Sequence, residues 1–534
     1  MTYPQPSGNA LRRSVQWRCL SIFELRQDLM PTFLFCFLLA VLLWAVPATA
    51  QERAGRFISV QGPVEVLRGK QTIPATTQLP LQTGDIIRTG ASARVAILLS
   101  DGTKLKLGAN ATVQLKQLSP ERRGAVTPVA AGEVRTVLQF FVGQGWLERK
   151  GPPDALEIET PTVRAATRGT EFALDVAPDG STVLSVLRGR VRVANPQGEV
   201  VVGQGEQAFI IEPQRMNLKY ATFPNEDPYV GKGGSPAKRA IPDPIQVVQW
   251  SLYYRGGLSP KDYPALSPVE LAEFEAILAS YRAGRLTETR ERLQVARIAR
   301  PNAPALLDLA ALLFLVQGQV PEAKAALQAA LTHDPTDAAA HALLAEVALA
   351  QNRIADAEAE AELALAANRE APSGWLAVSR VRQVQFKLEA ALQAAAQARA
   401  LDPQDVRTLV QEAIVLFWMS RTQEAWALTQ QARALAPGEA TPLSLLGFLQ
   451  LARSENEMAL GSFRQASEAD STLGEPHLGA GLVLLRLGQV PEAVEELEAA
   501  TMLESQDALF RGYLGEGLYC AGYFGKICRE GLRR

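Results

Sequence analysis

The sequence predicts a multidomain chain in which an all-β sandwich precedes an all-α solenoid of paired helices. Three observations carry this. Apolar residues alternate around glycine-containing turns over residues 57–213, a Pro/Gly-rich stretch interrupts at 214–266, and a 34-residue self-similarity runs through the Ala/Leu-rich remainder, 267–534. At 534 residues the chain has length for two or more domains, and a formal net charge of -2 supplies none of the basic excess a nucleic-acid binder needs. Nucleic acid is therefore not an expected partner.

The β-region is read from FISVQGPVEVLRG (57–69), RVAILLSDGTKLKLG (94–108) and STVLSVLRGRVRVANPQGEVVV (181–202), each apolar at every second position around a turn. Asp101-Gly102 and Asp179-Gly180 predict two-residue type I′ hairpins, because both residues tolerate positive φ. Gly143-Gln144-Gly145 lacks the third glycine and following helix of a dinucleotide loop and reads as a bulge or turn.

Ahead of this region, Arg12, Arg13, Arg18 and Arg26 precede the apolar run PTFLFCFLLAVLLWAV (31–46), which exits through Pro47-Ala48-Thr49-Ala50. That order reads as a secretory signal over 1–50, with Gln51 as the mature start and a periplasmic or secreted destination. Membrane attachment is expected only if the run stays uncleaved. Cys520 and Cys528 remain after the signal and are candidates for a disulfide in an oxidising compartment.

Pro224, Pro228, Pro236, Pro242 and Pro244 with the run Gly231–Gly234 mark 214–266 as a linker, in which VVQWSLYY (247–254) is aromatic enough to dock on the first helices that follow. Beyond it, Pro301, Pro335, Pro403 and Pro437 share one 34-residue lattice with two alanine registers, 323/357/391/425/459/493 and 330/364/398/432/466/500. Over 270–518 this pattern resembles the tetratricopeptide repeat family, read as one degenerate repeat (270–303), six full repeats (304–507) and a further first helix starting near Ala508. The resemblance implies a groove built mainly from the first helix of each repeat. Counted along the lattice, that groove carries Arg380, Gln383, Val384, Arg407, Val410, Ile414, Phe417, Trp418, Phe448, Leu451, Leu482 and Arg486, a set of arginines and aromatics suited to a protein or peptide. His341 and His477 fall at a helix–helix contact of the lattice and are expected to pack in the core.

No catalytic constellation is predicted, and neither a cofactor nor a metal. Ser235-Pro236-Ala237-Lys238 has S-x-x-K spacing but lies in the linker, where the motif's helix is absent. The three histidines, His333, His341 and His477, are isolated from each other and from cysteine.

A second resemblance rests on four pieces in order: Gly84-Asp85 within LQTGDIIRTG, the Asp101-Gly102-Thr103 hairpin, TPTVRAATRGTEF (160–172), and the strand pair around VLRGRV (186–191). In combination they are similar to the FecR family. That resemblance implies an extracytoplasmic sandwich of jelly-roll type, and in the best-known members a cytoplasmic anti-sigma domain. Only about 30 residues precede the apolar run here, too few for such a domain to fold alone. Within the motif, Arg168, Gly169, Thr170, Glu171 and Phe172 are read first as structure, Gly169 permitting a turn or bulge before a strand over 171–176, with Arg168 and Glu171 pairing with each other or with Arg164 and Asp175. The second reading makes them contacts to a ligand.

The expected function is that of an exported, non-enzymatic interaction scaffold whose repeat arm binds a protein or peptide and whose β-domain binds a second protein or a cell-wall or polysaccharide ligand. The alternative is a membrane-anchored sensor.

Overall fold

The computed structural model describes residues 54–118, 136–149, 156–210, 237–240, 247, 249–254, 256–283, 285–505 and 507–522. The proposed signal 1–50, Gln51, Ser235, the linker glycines and Cys528 lie outside the described residues.

The β-region comprises β1 Gly55–Gln61, β2 Val64–Arg68, β3 Gln71–Pro74, β4 Pro80–Leu81, β5 Ile86–Thr89, β6 Arg94–Leu99, β7 Lys104–Leu107, β8 Thr112–Gln117, β9 Thr136–Glu148, β10 Leu156–Glu159, β11 Arg164–Val176, β12 Thr182–Asn195, β13 Gly198–Gly203, β14 Glu206–Ile210 and β15 Ala237–Ala240. One hydrogen-bonded path runs β15-β14-β12-β11-β10-β9-β7-β6-β1-β4, and β2, β3, β5 and β8 form a second arm that rejoins it at β9. The layers are thus joined through shared strands rather than being two separate sheets. Strand β9 makes the join: Val137 to Val142 pair with β8, and Gly143 to Glu148 pair with β11. The switch needs Gly143, which has φ 99° and whose added Cβ would lie 2.4 Å from Ala111 Cα. Between the layers Phe57, Ile87, Leu105, Phe140 and Phe172 are at most 2% exposed, each worth roughly 1.5–3 kcal/mol of burial.

Both Asp-Gly hairpins differ from the expected two-residue turn. Leu99 N–H donates to Thr103 O and Ala177 N–H to Ser181 O, which closes three-residue loops. Only the glycine takes positive φ, 79° at Gly102 and 85° at Gly180. The aspartates instead accept the N–H two residues on, at 2.8 Å for Thr103 and 2.9 Å for Ser181, the local bond that favours Asp in such turns.

The helical region pairs α1 Pro268–Arg282 with α2 Leu286–Ala299, α3 Pro304–Val316 with α4 Val320–His333, α5 Ala338–Ala350 with α6 Ile354–Ala367, α7 Pro372–Val384 with α8 Leu388–Leu401, α9 Val406–Trp418 with α10 Thr422–Leu435, α11 Ala440–Ala452 with α12 Asn456–Ala469, and α13 Gly474–Arg486 with α14 Val490–Leu503; α15 Ala508–Gly522 follows. All twelve lattice alanines are 0% exposed, which lets the backbones of paired helices approach closely. A third register emerges at the turn inside each pair: Gly318, Asn352, Phe386, Ser420, Ser454 and Gly488 all take left-handed φ between 56° and 74°.

The described residues of the stretch predicted as a linker include regular elements. Ala237–Ala240 adds β15 to the edge of β14. Residues 249–254 and 256–263, containing 3-10 turns at Gln249–Ser251 and Pro260–Asp262, form a strap packed against both regions. Leu252, Tyr254 and Leu258 join the core of α1, α3 and α5, as the aromatic composition anticipated. On the other side Arg94 donates to Trp250 O and Leu252 O, at 2.9 and 3.0 Å, and to Val316 O at 2.7 Å.

Candidate interaction surfaces

The strap lies on the face made by the first helices of four successive pairs. Gly256 backs onto Leu312 and Leu343, and Gly257 onto Arg407, so a side chain at either would meet those residues at 2.6–3.0 Å. Ser259 Oγ donates to Asp402 at 2.7 Å. Asp262 accepts the Ser373 N–H at 3.1 Å and the Ser373 hydroxyl, and caps its own 3-10 turn through the Ser259 N–H at 2.7 Å. Tyr263 donates to Asp308 at 2.7 Å. Burial, with Asp337 beside it, pushes the Asp308 carboxyl well above its ordinary range and favours the protonated form. Burial pushes Asp262 up as well, against the opposing field of Arg407.

This occupancy changes the reading of the groove residues. Arg407 forks onto Asp405, with contacts of 2.6 and 3.0 Å to one oxygen, and lies against the strap. Arg380 pairs with Glu346 beside Gly257. Gln383 accepts from Gln411 at 2.9 Å, and Arg486 donates to Leu451 O at 2.8 Å. Phe417 and Phe448 have ring centroids 6.2 Å apart, and Phe448 continues onto buried Phe463 at 4.8 Å. Val410 and Leu451 are buried, while Ile414 and Leu482 pack at the margin of the core. Of the expected groove, Val384 at 48% and Trp418 at 39% exposure present large apolar side chains to solvent. Trp418 is paired with Phe386, 74% exposed at a ring distance of 5.7 Å, which the sequence reading missed. The available signal was the turn lattice, on which Phe386 stands where other pairs place Gly, Asn or Ser.

The FecR-like motif residues occupy structural positions. Asp85, 1% exposed, accepts two 2.8 Å bonds from Arg68 and one of 2.9 Å from Gln82 N–H, just after Gly84 at φ 94°. Asp101 holds Arg149 and Thr136 beside the Gly102 turn. Strand β11 runs straight through RGTEF as one strand with a bulge between Arg168 and Glu171, rather than starting after a corner. Gly169 takes φ 60°, and opposite it Gly189 takes φ 86° and has no room for a Cβ, which would lie 2.6 Å from Gly169 O. Thr170 is buried with no partner for its hydroxyl among the described residues. Phe172 enters the core. Glu171 does not pair with Arg164 or Asp175, which contact Glu159 and Gln144; it faces Arg188 across the strand pair at 3.7 Å. Burial and the neighbouring Glu148 push its carboxyl up.

A seam of buried cations joins the β-region to the strap and the solenoid. Lys106 Nζ donates to Ser251 O at 2.8 Å and lies 5.3 and 5.2 Å from the ring centres of Trp146 and Tyr253. Burial, reinforced by Arg94, pushes Lys106 down to about 7. Lys104 Nζ donates to Thr501 at 2.8 Å. Ile58, Ala96 and Leu98 pack on Ala499, Met502 and Leu503 of α14. Nearby, Glu496 accepts from His477 at 2.6 Å and Arg56 at 3.0 Å. Burial pushes Glu496 up, but His477 and Arg56 outweigh it and hold the carboxyl at about 2. His477 is buried at its helix–helix contact as expected and His341 is half-buried, and each also bonds a glutamate 19 residues on, His341 to Glu360 at 2.8 Å.

Among the described residues, no cluster of three His, Cys, Asp or Glu side chains is placed to hold a metal, and no helix is long and apolar enough to cross a membrane. Comparison with known proteins gives two family matches: residues 85–192 match the FecR protein model and residues 314–381 match a tetratricopeptide repeat model. No curated protein matches the chain. Among solved structures, a chain of the APC/C hetero-tetramer Cut9–Hcn1 is similar at 16% identity and a TM-score of 0.38, over 45% of this chain and 48% of that one, so this chain spans about half its length. A thermophilic TPR protein of Thermus thermophilus is similar at 18% identity and a TM-score of 0.30, over 34% of this chain and 97% of that chain. Pseudomonas aeruginosa pilF is similar at 20% identity and a TM-score of 0.31, over 41% and 99% respectively. The chain thus carries a FecR domain followed by tetratricopeptide repeats, domains that suggest a protein-interaction or regulatory role.

Proposed function

We propose that this chain is an exported, non-enzymatic interaction scaffold of the cell envelope, in which the repeat arm recruits a protein partner and the FecR domain anchors the arm. One observation carries the reading: the first-helix face grips a non-helical polypeptide segment, residues 256–259 and the 3-10 turn after it, through backbone-close glycines and a buried carboxylate. A face able to do that in cis has the chemistry of a polypeptide receptor. Export is supported by the charged, apolar and small-residue order of residues 12–50. The exposed Phe386–Trp418 pair offers a rim beside that face.

The test is a photo-crosslinking residue in place of Phe386 in the full chain, followed by cell fractionation and N-terminal sequencing. The expected result is a discrete protein adduct in the envelope fraction on a chain beginning at Gln51. A chain retained in the cytosol, or one giving no protein adduct, overturns the scaffold reading.

A further inference from the structure

The strap does not merely tether two regions; it occupies the surface on which a partner segment would lie. Its contacts span α3, α5, α7 and α9 or the turns entering them, through Gly256 on Leu312 and Leu343, Gly257 on Arg407, Asp262 on Ser373 and Ser259 on Asp402. Two features describe how it is held. An added Cβ at Gly256 or Gly257 would come within 2.6–3.0 Å of the Leu312, Leu343 and Arg407 side chains, so the strap backbone lies directly on them. The anchoring is also polar: the buried carboxylate of Asp262 satisfies the Ser373 N–H at the start of α7, where the backbone N–H has no partner within the helix. Meanwhile Arg380 and Glu346 sit beside Gly257, paired with each other rather than with the strap.

We propose that residues 249–263 are a built-in ligand of the first-helix face, displaced by an extended partner segment that carries the same glycine pair followed by an acidic residue. The inference rests on the interaction-scaffold reading and adds its regulation: the face is closed in the isolated chain and opens by exchange. The Asp262 equivalent of the incoming segment takes over Ser373, and its glycines take the close approach to Leu343 and Arg407.

The experiment uses the full chain and a fluorescent peptide of residues 249–263, with a second peptide bearing Asp262→Ala as control. Two full-chain variants loosen the strap independently: Asp262→Ala removes its anchor, and Gly256→Val places a side chain against Leu312 and Leu343. Fluorescence anisotropy is expected to show each variant binding the parent peptide at least tenfold more tightly than the unaltered chain does, and the control peptide at least tenfold more weakly than the parent. Equal binding by the unaltered chain and the variants, equal binding of both peptides, or no binding by folded variants overturns the proposal. So does loss of helical circular dichroism in both variants, since the strap would then be an obligatory part of the fold. Failure here leaves a crosslinked envelope partner standing, and absence of that partner leaves peptide exchange standing.

Discussion

The two helices of each repeat live in different environments. First helices bury most of their length: α3, α11 and α13 each bury ten of thirteen residues. Second helices bury a stripe, three of fourteen in α6 and α10 and four of fourteen in α8. The exception is instructive. Helix α14 buries seven of fourteen, and the additional residues, including Ala499, Met502 and Leu503, are those seated on Ile58, Ala96 and Leu98 of the FecR domain. Among the second helices, burial beyond the lattice stripe thus marks where the β-region has docked, on α14.

The largest effect should come from the lattice itself. Phe463 is 0% exposed, meets Phe448 edge to face, and fills the space left by Gly447 and Gly479. Phe463→Ala should lower stability by about 3–5 kcal/mol, because transfer and cavity costs add. Chemical denaturation followed by far-UV circular dichroism measures it. A loss below about 1 kcal/mol would show that the first-helix side is not held by this packing.

The strap should matter less, and the two faces should then separate clearly. Asp262→Ala leaves the Ser373 N–H and hydroxyl and the Ser259 N–H without their acceptor, a loss of about 1–3 kcal/mol after the relief of a buried carboxylate is counted. Glu389→Ala on exposed α8 should change stability by less than about 0.5 kcal/mol. Equal effects at the two sites would erase the distinction between the faces.

The lattice was legible because a residue that must be small between helices is constrained in every repeat; the six alanines from Ala323 to Ala493 announce it. The β-domain was legible in the same way, through alternation and glycine turns. What composition does not encode is who fills a surface. Arg380, Arg407, Phe417 and Phe448 have the chemistry of a groove, yet neighbours in the fold occupy them: Glu346 holds Arg380, Asp405 and the strap hold Arg407, and Phe417 packs on Phe448, which meets Phe463 edge to face. The strap was hidden because prolines and glycines that break helices also allow an extended segment to lie close on one. RGTEF was misplaced by a smaller margin, since a glycine of positive φ marks a bulge or a corner equally well until the register of Gly189 opposite is known.

The second docked surface carries its own pH signature. Lys106 faces Arg94 and Lys104 from β6 and β7, Glu171 from β11, Glu504 after α14, and the rings of Trp146 and Tyr253. Its pKa, pushed down by burial to about 7 from an ordinary 10.5, means that between those values the unfolded chain binds more protons than the folded one. The seam should therefore strengthen as pH rises through that window, by on the order of 1 kcal/mol per pH unit at most, and show no such gain below it. Denaturation midpoints at pH 7, 8 and 9 test this, and Lys106→Met should flatten the slope. A seam that weakens over the same range would mean that Lys106 is stabilised as a cation by its aromatic neighbours.

The smallest effect lies at the rim, where the turn lattice and the exposed aromatic pair oppose each other. Phe386 holds φ 57° at a position filled by Gly318, Asn352 and Gly488 in other pairs, and a left-handed non-glycine residue costs about 1–2 kcal/mol. Its ring contact with Trp418 returns about 0.5–1.5 kcal/mol. Phe386→Gly, and to a lesser degree Phe386→Asn, should therefore stabilise the solenoid by about 0.5 kcal/mol, while a shift in Trp418 fluorescence reports loss of the pair. Destabilisation by either variant would make the ring pair part of the packing. Stabilisation would leave Phe386 with no structural reason for its exposure, which is what the proposed partner surface requires.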